Sequence, residues 1–266
     1  MGENGEANHS RERPNAQDQV TDSSLDFEIS SGIVKKVVET GQLSSPSLTI
    51  CRAIRHSEVM TTISELTDQK NRLRRQAYDA RNAQENKDQI SELAIRQFVD
   101  LAEYHAANTV MWYLDCRSEL RTRHALPAAL ESSQRVVVPY CTVDDQGANK
   151  LGLWLLESMD ELVVGKWKIL EPPRDRWGEK GKEIDPKRLD LVMVPGVGFG
   201  RDGGRMGNGQ GYYDRLLTQV RDDCPLVALC YESQLFENLV VGPHDVYMDK
   251  VVTEKAVYQG RGRTAL

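Results

Sequence analysis

"LDLVMVPGVGFGRDGGRMGNGQGYYDRLL", residues 189–217, runs from an apolar stretch through a glycine-rich segment into an amphipathic one. The apolar stretch is too short and too β-branched for a buried helix and predicts a strand, whereas "YYDRLL" predicts a helix start. Gly207, Gly209 and Gly211 can adopt positive φ and leave backbone N–H groups unobstructed. Such a loop before a helix can bind a polyphosphate, or it can be a surface turn with both tyrosines in the core.

Short apolar runs of the same type recur along the chain. They predict strands over 109–114, 135–141, 151–157, 189–196, 225–232 and 250–254. Helix-like segments lie between several of them, at 122–134, 213–223 and 233–239, and two longer helical patterns, 57–83 and 85–104, come first. This alternation predicts an α/β fold, a three-layer sandwich of Rossmann-like topology in which helices flank a mixed, mainly parallel sheet. Ligands of such sheets bind at the carboxyl ends of the strands.

Composition excludes several classes of protein. The 266 residues carry a formal net charge of -6, with basic residues scattered among acidic ones, so no nucleic-acid partner is expected. No signal-peptide pattern or run of roughly 18 apolar residues is present, which predicts no membrane segment. The five cysteines form no CxxC pair and indicate reduced thiols in a cytoplasmic protein.

A second glycine pattern offers a competing interpretation. Gly198, Gly200 and Gly203 satisfy GxGxxG, the spacing of dinucleotide-binding oxidoreductases. However, another glycine cluster follows instead of a helix, and the expected acidic residue about 20 positions on does not end the next strand. The GxxxxGK[ST] spacing of P-loop enzymes is missing from the sequence.

The string "VPGVGFGRDGGRMGNGQGYYDRLL", residues 194–217, closely resembles the ATP-binding signature of the 5-formyltetrahydrofolate cyclo-ligase family, also called methenyltetrahydrofolate synthetases. Four further segments resemble motifs of that family in the same order: "KNRLR" (70–74), "YLDCRSELRT" (113–122), "WKILEPP" (167–173) and "PHDVYMDKVVTE" (243–254). The resemblance covers about residues 66–254. It implies conversion of 5-formyltetrahydrofolate, with ATP and Mg²⁺, to 5,10-methenyltetrahydrofolate, ADP and phosphate.

The resemblance also implies roles for individual residues. It makes Lys70, Glu119 and Tyr212 catalytic. It assigns ATP binding to Lys70, Arg74, Arg205, Met206, Gly207, Asn208, Gly209, Gln210, Gly211, Tyr212 and Tyr213. It assigns folate contacts to Arg74, Leu114, Glu119, Trp167, Asn208, Gly209, Gln210, Gly211 and Tyr212. It assigns Mg²⁺ to the carboxylates of Asp214 and Asp245, a ligand type that this ion prefers.

Taken singly, several of these residues have simpler interpretations. Lys70 and Arg74 could be a solvated helix face, Asp214 a charge in a helix's first turn, and Asp245 a turn residue. The chain departs from the family at Arg121, where relatives commonly carry an acidic residue, at Gly200, where they frequently carry aspartate, and at Gln210, where they often carry Lys or Gly. An alternative function is a non-catalytic folate- or nucleotide-binding relative with a regulatory role, although the complete phosphate and metal set argues against it.

The predicted domain organisation follows the extent of the resemblance. Residues 1–56 form an amino-terminal extension, partly disordered because its first 25 or so residues are polar and poor in large apolar groups. Residues 57–258 form the catalytic domain, and 259–266 a short tail. The expected partners are small molecules, the reduced folate and ATP, and the expected state is a monomer or a weak homo-oligomer.

Overall fold

The structure, a computed structural model, describes residues 67–165, 168–237, 239, 241–242 and 245–263. The extension predicted over 1–56 and the aromatic residue Trp167 lie outside the described residues. The predicted domain boundary at residue 57 also lies there and stays a prediction.

The helices lie close to their predicted positions. They are α1 (67–83), α2 (Lys87–Val99), α3 (Ala102–Ala106), α4 (Leu126–Leu130) and α5 (Tyr212–Leu217). The pattern predicted as one helix over 85–104 is two, because Leu101 takes an extended backbone (ψ 141°) between α2 and α3. No helix among these described residues is long and apolar enough to cross a membrane.

The strands form one large sheet and two small hairpin-like pairs. They are β1 (Thr109–Met111), β2 (Arg135–Val143), β3 (Asn149–Leu156), β4 (Val163–Val164), β5 (Leu170–Glu171), β6 (Leu191–Val194), β7 (Gly198–Phe199), β8 (Arg205–Met206), β9 (Leu226–Leu229), β10 (Lys250–Val252) and β11 (Val257–Gln259). The large sheet has the order β11-β10-β9-β6-β1-β2-β3, with β11 and β3 antiparallel to their neighbours and the other pairs parallel. The predicted mixed, mainly parallel sheet is confirmed.

Apolar side chains of the parallel strands alternate between two cores, one on each face of the sheet. Val110 of β1 packs in the core that includes Phe98 of α2, whereas Met111 packs in the core that includes Leu217 of α5. The same alternation holds along β2, β6, β9 and β10. Because a strand points successive side chains to opposite faces, near-continuous apolar runs are what a sheet covered on both faces requires. The three-layer α/β architecture is thereby confirmed.

The strand order creates a crevice between β1 and β6. The chain runs outward from β1 through β2 to β3, then returns to the other side of β1 and runs outward through β6, β9 and β10. The loops after β1 and β6 therefore leave the sheet in opposite directions at its carboxyl edge, which is where doubly wound sheets bind ligands. The loop 112–122 and the glycine-rich segment that begins at Pro195 border this crevice.

The GxGxxG segment is a β-hairpin. Strand β7 pairs antiparallel with β8, and the turn between them is closed by hydrogen bonds from Gly200 N to Gly204 O (2.8 Å) and from Gly203 N to Gly200 O (3.0 Å). A dinucleotide site needs this glycine cluster to open a helix, so the geometry disfavours the oxidoreductase interpretation.

The helix predicted over 233–239 is wrong. The structure has a 3₁₀ turn at Glu232–Gln234, after which Leu235 forms an isolated parallel bridge with Phe199. The backbone N–H of Phe236 donates to the Phe199 carbonyl at 2.8 Å. Pairing with the hairpin therefore replaces the intrahelical bonds that this segment would otherwise make.

We expect Gly203→Ala to destabilise the fold by at least about 3 kcal/mol. Gly203 has φ +91°, and a Cβ there would lie 2.3 Å from the backbone oxygen of Met248, which cannot move aside as a side chain could. Gly147→Ala is the matched control, since Gly147 has φ +79° with nothing within 4 Å of its added Cβ. The control should lose only about 1–2 kcal/mol in urea unfolding, and equal losses would show that φ alone matters at Gly203.

Candidate active site

One face of α1 follows the glycine-rich loop. Lys70, Arg74, Tyr78 and Arg81 are spaced by four, four and three residues, so they lie on the same side of the helix. Their partners along the crevice are, in the same order, Asp245, Gly207, Asn208 and Glu119. The helix thus joins elements that are far apart in sequence and forms one wall of the crevice.

The hydrophobic residues of α1 keep that face in register. Ala77 is fully buried against Val197 and Met206, in a small core of its own between helix and hairpin. Met206, predicted as an ATP contact, therefore has its side chain under the helix, and only its backbone borders the loop.

Lys70 and Asp245 form an ion pair near the first described turn of α1. The Nζ of Lys70 donates to Oδ2 of Asp245 at 2.7 Å, and both side chains are about one quarter exposed, at 27% and 26%. The same carboxylate oxygen accepts from the backbone N–H of Gly242 at 2.6 Å. Asp245 is therefore both a turn residue and the counter-ion of Lys70.

The next two turns of α1 reach the loop itself. Arg74 donates from Nε to the Gly207 carbonyl at 3.0 Å, and the Tyr78 hydroxyl donates to Oδ1 of Asn208. Both contacts hold the loop by its acceptors and leave its backbone donors unused. The Arg74 contact agrees with its predicted place beside the loop, whereas Tyr78 was not predicted.

The glycine loop presents a row of free donors. Gly209 and Gly211 have φ of +85° and +68°, values that L residues other than glycine rarely adopt. Within the described part of the chain, no backbone N–H of residues 207–214 has an acceptor. Successive N–H groups in such a loop at a helix start form a concavity that suits an anion.

Arg205 adds a buried cation beside this row. Its side chain is only 4% exposed, ion-pairs with Oδ1 of Asp214 and approaches the Pro195 carbonyl at 3.4 Å from Nη1. Its Nε has no acceptor among the described residues. A buried donor without a partner is rare in a native structure, and here it adjoins a loop of unpaired N–H groups. Both observations favour an anionic ligand at this position.

Glu119 lies on the other side of the crevice, in the loop after β1. Its Oε2 accepts from the backbone N–H of Cys116 at 3.0 Å, and its Oε1 lies 3.5 Å from Nη1 of Arg81. Burial raises the pKa of the Glu119 carboxyl, and the Arg81 charge opposes that rise. Burial, with the nearby Glu119, also raises the pKa of the Cys116 thiol to about 12, which keeps it protonated.

The two loop tyrosines have different surroundings. The hydroxyl of Tyr212 donates to Oδ1 of Asn149 at the start of β3, 3.2 Å away. The guanidinium carbon of Arg205 instead lies over Tyr213, 5.8 Å from the centre of the tyrosine ring. Burial together with the Glu119 charge raises the pKa of Tyr213 well above its usual value. Of the two, Tyr213 is the one whose pKa the Glu119 charge raises, although Tyr212 was predicted as catalytic.

Comparison with known proteins shows the family of the chain. A model of the 5-formyltetrahydrofolate cyclo-ligase family matches residues 66–254, well over half of the chain. The chain belongs to the 5-formyltetrahydrofolate cyclo-ligase family. The predicted membership is confirmed, and with it the prediction that the chain is an enzyme of the cyclo-ligase type.

Named members of the cyclo-ligase family span most of the matched region. The 5-formyltetrahydrofolate cyclo-ligase of Escherichia coli K12 is 29% identical over 177 residues, 66% of this chain and 93% of that protein. The probable 5-formyltetrahydrofolate cyclo-ligase of Schizosaccharomyces pombe is 28% identical over 176 residues, 61% of this chain and 82% of that protein. The NMR structure of 5,10-methenyltetrahydrofolate synthetase from Aquifex aeolicus superimposes with a TM-score of 0.61 at 30% identity, covering 74% of this chain and 95% of that one.

Two remaining predicted cyclo-ligase residues have specific placements. Leu114 is 5% exposed and belongs to the core on the α2 face, so its side chain supports the crevice from below. Gln210 accepts through its backbone carbonyl from Nη2 of Arg215 at 2.8 Å, which fixes the outer edge of the loop.

The Arg121 departure from the cyclo-ligase pattern does not alter the Glu119 carboxylate. The Arg121 guanidinium turns away to Asp88 (3.9 Å) and to Asp115 (3.6 Å), and it donates to the Arg117 carbonyl at 2.6 Å. An acidic side chain at 121 would instead lie beside the buried Asp115 carboxylate.

Sequence reasoning missed Tyr78 and Arg81. The signal was present, because both continue the spacing that Lys70 and Arg74 begin on one face of α1. A charged helix face is usually solvated, so the spacing alone could not show that Arg81 is buried.

Proposed function

We propose that this cyclo-ligase converts 5-formyltetrahydrofolate to 5,10-methenyltetrahydrofolate with ATP and Mg²⁺, releasing ADP and phosphate. The observation that carries the ATP requirement is the anion cradle, defined as the unpaired N–H groups of residues 207–214 together with the partnerless Nε of buried Arg205. Family membership supports the reduced folate as the other substrate.

The chemistry explains why a phosphate site should face a folate site. The formyl group on N5 is an amide, whose carbon resists attack and whose oxygen is a poor leaving group. Transfer of the γ-phosphoryl group to that oxygen forms a C–O–P linkage and releases ADP. The N10 lone pair then bonds to the formyl carbon, N10 loses its proton, and the C–O bond breaks to release phosphate and close the five-membered ring.

Phosphoryl transfer requires mainly positioning and positive charge around the γ-phosphate. We assign these tasks to Lys70, Arg74 and Arg205, which contact Asp245, the Gly207 carbonyl and Asp214 respectively. Lys70 is paired with Asp245 and Arg74 with the Gly207 carbonyl, so ATP would compete with these acceptors, whereas the Nε of Arg205 has no acceptor among the described residues and is available to it. Asp245 and Asp214 hold Lys70 and Arg205 in position before the nucleotide arrives.

Asp214 and Asp245 are the proposed Mg²⁺ ligands. The described residues contain no cluster of three carboxylate, histidine or cysteine side chains that could hold a metal alone. A set of one or two carboxylates nevertheless suits Mg²⁺, which keeps waters and takes the rest of its ligands from phosphate oxygens. Bound in this way, the ion would neutralise charge on the transferring phosphoryl group.

Glu119 is the proposed contact to the pterin of the reduced folate. It lies across the crevice from the anion cradle, where its carboxylate can accept hydrogen bonds from ring N–H groups and hold N10 beside the formyl carbon.

The cytoplasm is the proposed compartment of the protein. The proposed oligomeric state is a monomer or a weak homo-oligomer, which sedimentation would test.

The deciding experiment follows the absorbance of the methenyl product when purified protein meets 5-formyltetrahydrofolate, with ATP and Mg²⁺ each withheld in turn. Signal only in the complete mixture is the expected result. Protein that is stabilised by ATP against heating but forms no product would support the non-catalytic relative instead. Stabilisation by NAD(P), indifferent to Mg²⁺, would revive the oxidoreductase interpretation.

A further inference from the structure

The buried side chain of Arg81 joins α1 to both loops of the crevice. Arg81 is 3% exposed, and its Nε donates to the Ser118 hydroxyl at 3.1 Å. Its Nη1 lies 3.4 Å from the Gly196 carbonyl, which follows β6, and 3.5 Å from Oε1 of Glu119, in the loop after β1. The guanidinium therefore lies where the two loops separate. A charge this deeply buried needs a counter-charge, and Glu119 is the carboxylate at hand.

We propose that Arg81 is a positioning residue for the reduced folate, which holds the Glu119 carboxylate in one orientation at the crevice between β1 and β6. The inference rests on the proposed function, since it assigns Glu119 to the pterin. It goes beyond that function because it names Arg81, which lies outside the "KNRLR" segment, as the residue on which the contact between Glu119 and the pterin depends.

The orientation follows from one contact on each carboxylate oxygen. Oε2 of Glu119 accepts from the Cys116 backbone, and Oε1 faces the Arg81 guanidinium. A hydrogen bond on one oxygen and a cation beside the other restrict rotation of the carboxylate group, which leaves its remaining lone pairs in a defined direction. Without Arg81, Oε1 would lose its cation and the carboxylate would be held by one oxygen.

Arg81 is also the charge that opposes protonation of Glu119. Burial and the nearby Asp115 both raise the pKa of Glu119, while Arg81 lowers it. The other titratable or charged groups in this cluster are Tyr78 of α1, Tyr113, Cys116 and Arg117 of the β1 loop, and Tyr213 of α5. Since Arg81 is the foremost of the groups that favour the carboxylate, its removal should raise the pKa of Glu119 further.

The effect of losing Arg81 should concentrate on Glu119. The Gly196 carbonyl has a second donor, Nε2 of Gln234 at 3.1 Å, which also donates to Val197 O at 2.9 Å. The β6 loop is therefore held when Arg81 is replaced. A residue that served only to join the loops would affect both substrates equally, whereas a positioning residue for Glu119 should affect the folate.

The test compares Arg81→Gln and Arg81→Lys with the wild type, measuring kcat and KM for each substrate between pH 5 and 9. For Arg81→Gln we expect KM for 5-formyltetrahydrofolate to rise on the order of tenfold while KM for ATP changes less than about twofold. The acid limb of kcat/KM for the folate should move to higher pH, because that profile reports the free enzyme. Arg81→Lys should return the acid limb most of the way to its wild-type pH, since lysine retains the charge. It should restore KM for the folate less, since lysine lacks the several fixed donors of a guanidinium group.

Controls separate this inference from folding and from the proposed function. Arg96→Gln, at an exposed i,i+4 pair with Glu92 on α2, should behave as wild type. In a Glu119→Gln background, Arg81→Gln should add little to the loss, as expected for two residues acting as a unit. Equal losses for both substrates, or an unmoved acid limb in a variant still stabilised by ATP, would overturn the inference. A wild-type protein that forms no product would instead overturn the proposed function.

Discussion

Arg205→Lys is expected to lower kcat/KM for ATP by about 10²- to 10³-fold, the size of effect seen when one donor to a developing charge is removed. Arginine at this position bonds Asp214, approaches the Pro195 carbonyl and still aims its Nε without an acceptor. Lysine has one ammonium group and cannot occupy these directions together. Because it retains the positive charge opposite Asp214, the variant should remain folded. Steady-state kinetics measures kcat/KM for ATP. Thermal unfolding with and without ATP shows whether the variant is folded and how far ATP stabilises it.

Arg221→Lys is the matched control for this change. Arg221 is 37% exposed and pairs with Asp190 and Asp223 at the surface. The same substitution there removes a guanidinium group that has no proposed part in binding ATP. Surface pairs of this kind contribute about 0–1 kcal/mol. If Arg205→Lys retained the ATP stabilisation and turnover of the control, the anion cradle would not be the nucleotide site.

Glu119→Gln is expected to reduce turnover of the reduced folate by about 10²-fold or more while ATP still stabilises the protein against heating. Glutamine preserves the shape and the acceptor for the Cys116 N–H but removes the charge that faces the substrate. Glu92→Gln is the control, since Glu92 is 67% exposed in its helical pair with Arg96. Equal loss of ATP stabilisation in Glu119→Gln would point to a damaged nucleotide site and would contradict the assignment of Glu119 to the folate.

The same variant should also change how stability depends on pH. Because burial raises the folded-state pKa of Glu119, the folded protein binds this proton more tightly than the unfolded chain does. The wild-type carboxyl therefore stabilises the fold most below its unfolded pKa of about 4.3, and this contribution is lost as pH rises through the folded pKa. Wild-type stability minus that of Glu119→Gln should decrease with rising pH over that window in urea unfolding. A difference independent of pH would show that the pKa is not raised.

Local patterns of sequence were sufficient for much of the fold. The strands β1, β2, β3, β6, β9 and β10 lie within or across their predicted ranges, because each is a short apolar run that must be covered on both faces. The loop at 207–211 was also found from sequence, since the two glycines with positive φ, Gly209 and Gly211, are only two positions apart in the chain. The helix at 233–239 failed because pairing with the distant Phe199 competes with it.

What the sequence by itself determined is therefore the class of fold, the glycine loop and, through five ordered motifs, the family. The tertiary structure alone decided which residues meet. Lys70 and Asp245 are 175 positions apart, and Arg74 and Gly207 are 133 apart. It also decided that Arg81 is buried beside Glu119 and that the Glu119 charge acts on the pKa of Tyr213. The physical reason is that helical and strand periodicities act over a few residues, whereas strand order and helix docking bring together side chains whose separation along the chain carries no local signal.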